Sequence, residues 1–101
     1  MQTTRILTLK NGTTIPRGTR CTVSFNRSPV CTIQPEGFPP CRVGCSRLPV
    51  FFADDFSRPD TAELEAAVED GLCRSVMNET VEPDGYDEHG APSWLLALGL
   101  I

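Results

Sequence analysis

Short apolar runs alternate with turn formers through the first half of the chain. Ile6-Leu7-Thr8-Leu9 leads into Asn11-Gly12, a pair that accepts positive φ and signals a two-strand hairpin. Pro16-Arg17-Gly18-Thr19 breaks the chain again, and Cys21, Val23 and Phe25 then share one face of the next run. Asn26-Arg27-Ser28-Pro29 turns into Val30-Cys31-Thr32-Ile33. Three prolines place residues 34–40 in a loop, because proline lacks the N–H a ladder needs. Cys41–Cys45 reads as a further strand, and Leu48-Pro49 closes the series. The pattern predicts a β-rich α+β fold, with a small barrel or sandwich of four or five short antiparallel strands over residues 5–52.

The period then lengthens. Asp60-Thr61-Ala62-Glu63 is a capping-box pattern, and Leu64, Val68, Leu72 and Val76 recur every fourth residue. One amphipathic helix is expected over about 61–77, within the segment 60–78, its apolar stripe covering the barrel. Residues 79–101 read as an acidic loop followed by a hydrophobic segment, Pro92–Ile101, that packs back. The whole of residues 1–101 is expected to be a single domain.

The strings NGTTIPRGTRCTV and CSRLPVFF resemble the SH3-like small barrels, whose hairpin strands end in a tight helical turn. That resemblance implies a binding scaffold, and no aromatic peptide groove is carried over with it. Arginine-rich, lysine-poor usage and the closing GYDEHGAPSWLLALGLI resemble small accessory proteins of tailed phages and prophages. This implies action on a host protein or defence complex in the bacterial cytoplasm.

Charge sharpens the picture. Residues 1–58 hold eight basic side chains against three acidic ones, whereas residues 59–101 hold ten acidic ones against Arg74 alone. The leading expectation is a non-catalytic protein that binds another protein through Glu65, Glu69, Asp70, Asp84, Asp87 and Glu88, with Trp94 as an anchor. An alternative is a nucleic-acid-binding barrel using Arg17, Arg20, Arg27, Arg42 and Arg47. A third is a structural subunit of a phage or other assembly, self-associating through the C-terminal segment.

No cofactor is expected, and the longest apolar run is too short to predict a membrane span. Five cysteines without an export signal predict reduced thiols and a cytoplasmic setting. Strand parity turns Cys21, Cys31, Cys41 and Cys45 toward the core, which makes them small hydrophobes. The rival is a metal site at Cys41 and Cys45, the only two with near-zinc spacing. Tyr86 occupies a ligand position in the Asp84–Glu88 stretch, so a calcium loop is not expected. His89 has no nucleophile motif beside it and reads as a loop residue.

Overall fold

The computed structural model describes residues 1–101 and shows a small sheet-rich α+β protein. Strands β1 (Leu7–Thr8) and β2 (Thr14–Ile15) form the expected hairpin, with Leu7 opposite Ile15. Its turn works as the Asn-Gly pair implies. Asn11 Oδ1 accepts from Thr13 N–H at 2.9 Å, and Gly12 takes φ +87°, where a Cβ would be strained. Strands β3 (Cys21–Ser24), β4 (Val30–Pro35) and β5 (Cys41–Gly44) follow as an antiparallel meander. Val23 faces Ile33 and Cys31 faces Val43 across it.

The ladders do not join into one closed barrel. β1 and β2 make a two-stranded sheet, β3 to β5 a three-stranded one, and two later strands a third. Pro16 and Gly18 interrupt the chain before β3, and β5 gives way at Cys45 to a 3₁₀ turn over Cys45–Arg47. That turn continues directly into the short helix α1 (Leu48–Phe51). The N-terminal residues stitch these parts together, because Thr3 N–H donates to Thr19 O and Thr4 N–H to Phe51 O. The Thr4 hydroxyl also accepts from Ala53 N–H at 3.0 Å.

The helix departs most from the periodic reading. α2 spans Thr61–Asp70 and stops at Gly71, whose φ of +71° turns the chain left-handed while its N–H donates to Ala67 O. The N-cap behaves as expected, with Asp60 Oδ1 accepting from Glu63 N–H at 2.8 Å. Glu63 does not reach back to complete a capping box, since its carboxylate pairs with Arg74 at 2.9 Å. Beyond Gly71 the chain runs through a short extended stretch into a turn at Val76, so Leu72 and Val76 do not belong to the helix. Leu72 stays exposed, and Val76 is buried from a different element. The expected stripe is therefore corrected. Only Ala67 of α2 is buried, Leu64 is half-buried, and Val68 faces solvent with 62% of its surface exposed.

Strands β6 (Cys73–Arg74) and β7 (Thr80–Val81) pair as a second hairpin. Single bridges Ser75↔Ser93 and Tyr86↔Pro92 then fold the last segment over it. Helix α3 (Trp94–Ala97) is capped by Ser93, whose Oγ accepts from Leu96 N–H at 3.1 Å and donates to Pro83 O. Ala91 to Leu95 are buried, as packing back requires, whereas Leu100 and Ile101 are exposed. One apolar cluster of 16 residues runs from Leu7 to Leu95 and centres on Ile33, Leu48, Phe52 and Trp94. Phe52 meets Phe51 edge-on at 6.5 Å and Phe56 at 6.1 Å.

Candidate functional site

The acidic half divides into surface and interior. Glu65, Glu69 and Asp70 are exposed on α2, beside the uncovered Val68 and Leu72. Asp84 and Glu88 are exposed on the following loops. Asp87 is not available to a partner, which corrects its assignment as a binding acid. Its carboxylate is buried and accepts from the Ser75 hydroxyl at 2.7 Å, His89 N–H at 2.8 Å and Ala91 N–H at 3.0 Å. Trp94 is corrected as well. It is 0% exposed, because the loop from Pro83 to Pro92 folds its segment inward and Arg74 lies 5.9 Å over its ring. A side chain enclosed in this way cannot anchor an interface.

The five arginines do not form one track. Arg17 is exposed in the turn before β3, and Arg20 lies opposite Gln2 beside a shallow pocket. Arg27 serves the fold, its guanidinium 5.2 Å over Tyr86 and its N–H donating to Gly90 O. A Cβ on Gly90 would stand 3.1 Å from Arg27 N, so this joint between the two halves requires glycine. Arg42 and Arg47 do converge, on a groove that sequence reasoning missed.

That groove measures about 690 Å³ and runs between β1, β5 and α1. Leu7, Ile15, Ile33 and Val43 supply apolar lining, with Ile6 and Val50 exposed at its edges. Arg5, Lys10, Arg42 and Arg47 border it, and no acidic residue lines it. The signal available in sequence was the excess of basic residues before position 58, although spacing along the chain could not show which four would meet.

All five cysteines are free thiols, with Cys41 half-buried and the others buried. Cys41 and Cys45 are not brought together with a third ligand atom. The only three such atoms within 4.8 Å of one another belong to Glu79, Glu88 and His89. That group lies at the surface, with His89 Nε2 at 3.3 Å from a Glu79 carboxylate oxygen and 3.8 Å from one of Glu88.

Cys45 instead faces Cys31. The hydrogen bond between them favours the thiol at Cys45 and the thiolate at Cys31, so Cys45 is pushed far up and Cys31 down from the ordinary value. Burial pushes Cys21 and Cys41 up. Above the free-thiol pKa of roughly 8.5 an unfolded chain loses these two protons while the folded chain keeps them. The unfolded state then binds fewer protons, so stability falls as pH rises through that range. Thermal unfolding across the alkaline range is expected to show this decline, with a shallower slope in the double variant Cys21→Ala/Cys41→Ala. An equal slope in both proteins would assign the decline to other groups.

Fold and surfaces together define a small sheet-rich α+β domain with an acidic helix and a basic, apolar groove. Compared with known proteins, the chain matches no family model, no curated protein and no solved structure. No helix is long and apolar enough to cross a membrane.

Proposed function

We propose that this chain is a non-catalytic protein-binding domain, built on an SH3-like scaffold whose sheets do not close on one another, and that α2 is its contact surface. The observation that carries this reading is the exposure of α2. Val68 is 62% exposed on a helix whose only buried residue is Ala67, and Leu72, just past the Gly71 stop, is 55% exposed. A small domain leaves such residues uncovered at some cost in burial, which a partner's surface would recover. Glu65, Glu69 and Asp70 surround them and would select a basic partner face. An accessory role against a bacterial host protein, of the kind found among phage-encoded proteins, fits this surface.

The test compares proteins retained from a bacterial lysate by the immobilised chain and by the triple variant Glu65→Lys/Glu69→Lys/Asp70→Lys. A protein held at low salt by the first and lost by the second supports the reading. Identical retention by both removes it. A gel shift with DNA or RNA at low salt examines the nucleic-acid alternative, which the scatter of Arg17, Arg20 and Arg27 away from the groove already disfavours.

A further inference from the structure

We infer that the groove between β1 and β5 takes up an extended, acidic segment of a partner protein as an added strand. It is a second binding surface, opposite in charge to α2.

The ladder registers leave backbone groups free on both walls. Leu9 N–H donates to Thr13 O in the same register that pairs Leu7 with Ile15. Antiparallel pairs alternate, so the N–H and C=O of Ile6 and Thr8 turn away from β2. On the other wall, Cys45 N–H donates to Pro29 O in the register that pairs Cys31 with Val43. The N–H and C=O of Arg42 therefore turn away from β4. Outside the ladders none of these three residues forms a backbone hydrogen bond. A free strand edge is a template for strand addition, and here two such edges border one groove.

The lining specifies the chemistry of the added strand. Successive side chains of an extended segment point to opposite faces. One set would meet the apolar residues Leu7, Ile33 and Val43, and the other would meet Arg5, Lys10, Arg42 and Arg47. Since no carboxylate lines the groove, its charge complement is acidic. The fitting segment alternates apolar and acidic residues and carries no proline at its pairing positions.

The experiment titrates the isotopically labelled full chain with a synthetic heptapeptide of alternating Glu and Val, and follows backbone amide resonances. Shifts centred on Ile6–Leu9 and Cys41–Val43 are expected, together with binding that weakens as salt is raised. Binding should fall about tenfold or more in Arg42→Glu/Arg47→Glu, with Arg5→Glu/Lys10→Glu as a second pair if the first fails to fold. A Lys/Val peptide should not bind. A Glu/Val peptide N-methylated at alternate residues should bind far more weakly, because it loses the ladder donors.

Shifts scattered elsewhere, equal binding of the methylated peptide, or indifference to both charge reversals would overturn the proposal. So would concentration-dependent shifts at the same residues without peptide, which would seat a second copy there. The α2 triple variant should bind the peptide unchanged, so this result stands or falls separately from the α2 reading.

Discussion

Replacing Trp94 by alanine is expected to lower stability by roughly 3–5 kcal/mol, a large share of the roughly 5–15 kcal/mol that holds a domain of this kind together. Trp94 is the largest of the fully buried side chains, and it lies in the cluster shared by the sheets and both short helices. Alanine leaves a cavity in that cluster that its close-packed side chains cannot fill without moving backbone. It also removes the ring beneath Arg74, a guanidinium that otherwise links Glu63 of α2 and the carbonyl of Ser57. Trp94→Phe separates packing from polarity. The indole N–H is buried with no hydrogen-bond partner, so phenylalanine loses volume but also removes an uncompensated donor. Its expected loss is less than half that of alanine. Chemical denaturation of the three proteins measures both differences, and a Trp94→Ala chain as stable as the parent would contradict the burial.

The second large effect is expected at Asp87. Its carboxylate accepts three hydrogen bonds, from the Ser75 hydroxyl and from the backbone of His89 and Ala91, in a loop that covers Trp94. Asp87→Ala removes the acceptor while Ser75 and Ala91 remain fully buried. Two donors are then stranded without water, at a combined cost of about 3 kcal/mol. Asp87→Asn keeps one carbonyl oxygen in place and should fall between alanine and the parent. The same denaturation series reads the order, and an asparagine variant weaker than alanine would count against the assignment.

These residues show what was legible in the sequence. The hairpin at Asn11-Gly12, the order of the three meander strands and the inward-facing thiols follow from local rules, although β4 runs on through Gln34 and Pro35, which the prolines had placed in the loop. Turn chemistry and the alternation of side chains act over a few residues, and nothing distant overrides them here. The helix reading failed at Gly71 because the fourfold apolar spacing continued through it, while a left-handed glycine stops a helix whatever pattern surrounds it. Asp87 looks like a surface candidate in a polar loop, and Trp94 like an anchor in the hydrophobic segment that follows it. They are interior because Ser75 and Ser93 bridge across 18 residues of chain, a pairing that no local pattern announces. The groove was hidden for a related reason. Arg5, Lys10, Arg42 and Arg47 meet only once β1 lies beside β5.

The place of Trp94 also orders events during synthesis. The N-terminal strand is tied by Thr4 to Phe51 and Ala53, so the first half cannot lock until the chain has grown past that point. Even then its apolar face, with Ile33, Leu48 and Phe52, waits for Trp94, which is translated well after Phe52. Domains gather contacts as they emerge, and contacts distant in sequence form late. Until Trp94 arrives that half-built core stays uncovered, and over that interval the nascent chain is most open to aggregation.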